Sequence, residues 1–137
     1  MPSQAELRGK VVVTGSEPST SVRLVGDERN VELVGDLEPE VRRLAGANLL
    51  VRGSLQGSGS NQLEVKEYEI MNIDGEVPST GILRNRNGGV WLTGKETLEL
   101  IGAPDALRGK EGVKAWVIGQ RLGSGLAVQS YGIIREQ

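Results

Sequence analysis

The chain says nearly the same thing twice. Val22-Arg-Leu-Val-Gly-Asp-Glu28, followed by Glu32-Leu-Val-Gly35 and Leu63-Glu-Val-Lys-Glu-Tyr-Glu-Ile70, is answered by Val90-Trp-Leu-Thr-Gly-Lys-Glu96, Glu99-Leu-Ile-Gly102 and Leu126-Ala-Val-Gln-Ser-Tyr-Gly-Ile133. The offset is 68 residues at Val22 and Val90 and 63 at Tyr68 and Tyr131, so the order is kept and only loop lengths differ. A duplication of this kind restricts the fold to two similar units, expected over residues 6–74 and 76–135. Units of roughly 65 residues lie near the lower size limit for an independent core, so each is expected to pack on its twin or on another copy.

Within each unit, apolar residues alternate over short runs bounded by Gly, Ser, Asn or Pro, the pattern of half-buried strands. Strands are expected near Gly9–Thr14, Ser21–Gly26, Asn30–Val34, Asn48–Leu55 and Gln62–Met71. They recur near Gly81–Asn85, Gly89–Thr93, Thr97–Ile101, Val113–Arg121 and Leu126–Ile134. Between the third and fourth strands, Pro39-Glu-Val-Arg-Arg-Leu-Ala-Gly46 and Pro104-Asp-Ala-Leu-Arg-Gly109 each open with Pro-acid and close with Gly, which predicts one short helix per unit. Three strands, a helix and two strands is the order of the OB-fold, so the expected class is all-β, two tandem OB-like five-stranded barrels. In the fifth strands Leu63 and Val65 share one parity while Tyr68 and Ile70 take the other, and Leu126 and Val128 against Tyr131 and Ile133 repeat the switch. A bulge is predicted in both.

The run Gly81-Ile-Leu, Val90-Trp-Leu, Leu98-Glu-Leu-Ile-Gly102, Leu107-Arg-Gly109, Val113-Lys-Ala-Trp-Val-Ile-Gly119 and Leu126-Ala-Val128 resembles small bacterial OB-like barrel domains of unassigned function. The resemblance covers nearly all of the second unit and, more loosely, the first. It implies a barrel and carries no activity with it.

Composition removes most chemistry. There is no Cys and no His, hence no thiolate zinc site, no cysteine nucleophile and no imidazole base. Gly89-Val-Trp-Leu-Thr-Gly-Lys95 has the spacing of a phosphate-binding loop, but Glu96 stands where Ser or Thr would hold magnesium and the interior reads as strand. The Gly57-Ser-Gly-Ser-Asn61 and Gly123-Ser-Gly125 runs read as turns between the fourth and fifth strands. The carboxylates show no calcium-loop spacing and read as solvated faces. No catalytic residue, metal or cofactor is expected. No secretory leader and no apolar run near the roughly 18 residues of a membrane span is visible, so a cytoplasmic or virion-associated protein is expected, with a processed exported protein as the alternative.

Four aromatic residues remain: Tyr68 and Tyr131 at matching positions, expected to be structural with the hydroxyl on a nearby backbone group, and two tryptophans. If Val90 and Leu92 point inward, Trp91 points out, where the first unit has Arg23. If Val113, Ala115 and Val117 point inward, Trp116 points out together with Ile118, where the first unit has Leu50. Trp91, Trp116, Leu50 and Ile118 are thus candidates for a covered surface, a contact between the two barrels, with another copy or with a protein partner. The competing parity puts both tryptophans in the core. The expected function is a non-catalytic interaction or assembly module. The alternative is binding of single-stranded nucleic acid through Arg23, Arg84, Arg86 and Lys95, against which stand four aromatics and 16 basic to 18 acidic residues. A third reading uses Trp91 as a stacking plate for an oligosaccharide.

Overall fold

The computed structural model describes residues 3–16, 20–27, 29–56 and 61–136. The chain divides into two compact units, Met1–Val77 and Pro78–Gln137. In the first, β1 (Ser3–Thr14), β2 (Ser21–Val25), β3 (Asn30–Val34), β4 (Asn48–Gln56) and β5 (Gln62–Asn72) close a barrel in the order β1-β2-β3-β5-β4. In the second, β6 (Ser79–Arg86), β7 (Gly89–Thr93), β8 (Thr97–Ile101), β9 (Lys114–Leu122) and β10 (Gly125–Arg135) close a barrel with the same connectivity. All neighbours are antiparallel except β3 with β5 and β8 with β10. Alternate residues fill each interior: Val22, Leu24, Val31 and Leu33 in the first unit, Val90, Leu92, Leu98 and Leu100 in the second, all buried.

Each barrel closes because its first strand serves two neighbours. Residues 3–10 of β1 pair with β4 and residues 10–14 with β2; on β6 the division falls at Ile82. At the crossing the backbones come so close that a Cβ on Gly9 would lie 2.6 Å from the Val25 carbonyl oxygen, and one on Gly81 2.4 Å from that of Thr93. Glycine is required at both points by space, not by dihedral freedom. The bulges fall where the parity switch placed them. Lys66 is the extra residue between Val65 and Glu67, and Gln129 the extra one between Val128 and Ser130. The tight approach opposite each bulge is made by Gly53 and Gly119, where a Cβ would meet the carbonyl oxygens of Glu64 and Ala127 at 1.9 Å.

Two expectations fail. The first strand starts at Ser3 instead of Gly9, because Gly9 is the crossing point inside the strand and not its start. Only the first unit has a helix, α1 (Glu38–Arg42), anchored by the Val41 N–H to the Leu37 carbonyl and by an Arg42–Glu38 pair at 2.9 Å. The Pro104–Gly109 segment makes turns, with Leu107 N–H and Arg108 N–H bonded three residues back to Pro104 and Asp105. It is two residues shorter than Pro39–Gly46 and stops at Gly109, at φ 73°, before a second turn can repay helix nucleation. Leu107 nonetheless reaches the core and is fully buried.

Candidate functional site

Register places one residue of each strand on a ring around the outside of the second barrel. Arg84 on β6 faces Trp91 on β7, Trp91 faces Glu99 on β8, Glu99 faces Gly125 on β10, and Gly125 faces Leu122 on β9. These positions alternate with the buried Leu83, Leu92, Leu98, Leu100 and Leu126, which is why their side chains stand outside. Leu122 keeps 49% of its surface exposed, and Ile101 keeps 40% while lying against Gly125, where a Cβ would be 2.8 Å from its Cδ1. Trp91 is half-buried. Its indole nitrogen and the Glu99 carboxylate both reach over Gly89, 3.7 and 3.6 Å from where a Cβ would stand.

The first barrel has the same ring with different contents: Val12, Arg23, Glu32, Gln62 and Gln56. This ring is polar and largely occupied with itself. Arg23 Nε donates to Asn30 Oδ1 at 2.6 Å, and Gln62 Nε2 donates to Glu32 Oε1 at 3.0 Å. Between the two copies, therefore, Arg became Trp, one Gln became Gly and the other Leu.

The candidate residues scatter over other faces too. Trp116 lies outside the second barrel with its indole across Gly132, its partner on β10. Leu50 and Ile118 point away from their barrel interiors by alternation yet retain only 6% exposure each, whereas Val13, Val25, Met71, Val77, Ile101 and Leu122 are exposed and the tryptophans half-buried. The four cations of the nucleic-acid reading are divided between the two units. Arg23 sits on the first unit, held by Asn30. Arg84 donates to Glu111 at 2.9 Å, and Arg86 ends β6. Lys95 lies in the turn after β7, where the loop-like Gly89–Lys95 spacing is strand and hairpin.

Glu111 carried no sequence signal. It accepts the Asn85 backbone N–H at 2.7 Å and the Arg84 guanidinium, and these donors, with the charge of Arg86 nearby, hold its carboxyl below the usual carboxylate range. Tyr68 also departs from expectation: its hydroxyl donates to the buried carboxylate of Glu40 on α1, at 2.7 Å, and not to backbone. Among the described residues no group of three acids is placed to hold a metal ion, and no helix is long and apolar enough to cross a membrane. Comparison with protein-family models, with curated proteins and with solved structures finds no match to the chain.

Proposed function

We propose that the chain is a non-catalytic module of two OB-like barrels that docks on a protein partner through the outer ring of its second barrel, with Trp91 at the centre. The strand order and the parallel closure of β3 on β5 and β8 on β10 support the OB-like reading. The observation that carries the docking reading is the contrast between the rings. Where the first barrel satisfies its own side chains, the second carries an aromatic anchor flanked by Arg84 and Glu99, with exposed Ile101 two residues beyond Glu99 on β8. Tryptophan surrounded by apolar and polar contacts of both signs is the composition of a protein-binding hot spot.

Nucleic acid fits this ring less well. A carboxylate directly opposite the only aromatic platform repels phosphate, and the neighbouring arginine is already engaged by Glu111. The non-catalytic reading rests on the absence of His and Cys from the sequence.

A photo-reactive amino acid in place of Glu99, introduced in the cell of origin, tests the proposal. A protein adduct is expected at that position, lost on Trp91→Ala and kept on Arg23→Ala. Saturable, salt-sensitive binding of a generic oligonucleotide that Trp91→Ala abolishes, or an oligosaccharide that quenches Trp91 fluorescence, would assign the ring to one of those ligands instead.

A further inference from the structure

The ring of the second barrel keeps an acid and loses the groups that stand beside its twin. In the first barrel Glu32 lies between Arg23 on β2 and Gln62 on β5, and the Gln62 amide donates to it at 3.0 Å. In the second barrel Glu99 lies between Trp91 on β7 and Gly125 on β10, so neither neighbour brings a cation or an amide side chain. The arginines of the surrounding strands are committed elsewhere: Arg84 donates to Glu111 at 2.9 Å, and Arg121 donates to Glu96. Among the described residues, the Glu99 side chain has no hydrogen bond and no ion pair.

The indole beside that carboxylate also keeps unused capacity. Trp91 is half-buried, and its ring N–H meets no acceptor among the described residues. Its nitrogen and Glu99 Oε2 come within 3.7 and 3.6 Å of the point where a Cβ on Gly89 would stand, so one small group above this glycine reaches both side chains. The charge on the other flank does not oppose a cation there, since Glu111 balances Arg84.

We propose, building on the docking reading above, that this corner receives an arginine side chain of the partner protein, its guanidinium stacked on the Trp91 indole and bonded to the Glu99 carboxylate. A guanidinium is a flat, weakly hydrated cation, so it lies against an aromatic face and presents two N–H groups in its own plane to a carboxylate. The ammonium of lysine is more strongly hydrated and has no such fork. The indole N–H is left to donate to a carbonyl oxygen of the same segment. The twin barrels point the same way. Where the first carries its own Arg23 opposite the acid, the second offers an aromatic surface in that place and leaves the cation to come from outside. An exposed ion pair alone is weak; it is the indole, by excluding water from one side of the pair, that makes the contact selective.

The probe is the tripeptide acetyl-Gly-Arg-Gly-amide, titrated to tens of millimolar against the chain with its indole nitrogens labelled for NMR, Trp116→Phe assigning the two signals. The Trp91 N–H signal is expected to move saturably while that of Trp116 stays in place. Citrulline in the arginine position, equal in shape but uncharged, is expected to give no saturable shift, and lysine a weaker one. Glu99→Gln should weaken the arginine peptide at least about tenfold, and an unmoved Trp116 signal in that variant shows the barrel intact. No shift with arginine, an equal one with citrulline, or an unchanged affinity in Glu99→Gln overturns the proposal. A photo-reactive residue at the exposed Ile101, which leaves the carboxylate in place, separates this inference from the docking reading. Its protein adduct is expected to exceed that from position 99 and to fall in both Trp91→Ala and Glu99→Gln. An adduct lost in Trp91→Ala but undiminished in Glu99→Gln keeps the docking and sinks the arginine; no adduct from either position sinks both.

Discussion

The indole of Trp116 lies against Gly132, its cross-strand partner, so close that a Cβ on the glycine would fall 2.4 Å from the indole nitrogen. In the first unit the equivalent pair is Leu50 and Glu69. One side chain grew while the one facing it shrank to nothing, and the glycine left a bare patch of strand that the indole covers. This is how an aromatic residue compensates the loss of strand propensity at glycine. It also explains a tryptophan that is neither core nor freely exposed.

From this pairing, Gly132→Ala is expected to leave the barrel folded and displace the indole, because the atoms in the way are those of a side chain that can rotate. Trp116 fluorescence should shift to the red in that variant. Trp116→Ala should cost about 1–2 kcal/mol by urea denaturation, less than the roughly 3–5 kcal/mol of a buried tryptophan.

The glycines facing the bulges have no such escape. A Cβ on Gly53 or Gly119 meets a carbonyl oxygen of the neighbouring strand, and a backbone atom moves only with the sheet. Gly53→Ala and Gly119→Ala are each expected to destabilise by about 2–3 kcal/mol. Gly46→Ala provides a contrast, since no atom lies within 4 Å of its Cβ position and the cost there comes from φ 94° alone. Equilibrium denaturation of the three variants measures this, and an unaffected Gly119→Ala would show that the bulge relaxes.

Much of this architecture is legible in the sequence because it is written twice. The bulges were readable from Leu63 and Val65 against Tyr68 and Ile70, since a change of parity has no other cheap solution in a half-buried strand. The second helix did not form because Pro-acid and Gly mark ends without measuring whether the residues between suffice for more than three-residue hydrogen-bonded turns. The ring around the second barrel was half legible. Trp91 stood out by parity, but its neighbours Arg84 and Glu99 come from two other strands, and only register brings them together. The pairing of residues 3–10 of β1 with β4 was hidden because nothing in Ser3–Gly9 says which edge takes a partner.

The bond from Tyr68 to Glu40 ties the fifth strand to α1 and gives a test of the helix's contribution. Tyr68→Phe removes a donor from a buried carboxylate and is expected to cost about 1–3 kcal/mol. In the second unit, Asp105 follows Pro104 as Glu40 follows Pro39, but its side chain is fully exposed, and among the described residues the Tyr131 hydroxyl has no hydrogen-bond partner. Tyr131→Phe should therefore change stability by no more than about 0.5 kcal/mol. Thermal melts of the two variants side by side decide it, and equal losses would contradict this account.

The carboxylate of Glu111 makes stability depend on pH in a definite direction. Bonded by the Asn85 N–H and by Arg84, its folded pKa lies below the unfolded value, roughly 4.3 for glutamate. The ionised form is thus favoured in the fold, so the contribution is complete above the unfolded pKa and is lost as pH falls through the folded one. Glu111→Gln cannot ionise and should already lack that contribution at neutral pH. The gap in denaturation midpoint between wild type and variant is expected to be widest near about pH 6 and to close as the medium is acidified below the usual carboxylate range. Since other carboxylates titrate in both proteins, the gap and not the midpoint itself carries the signal. A gap that stays constant down to about pH 2 would mean that Glu111 is held by shape and not by its charge.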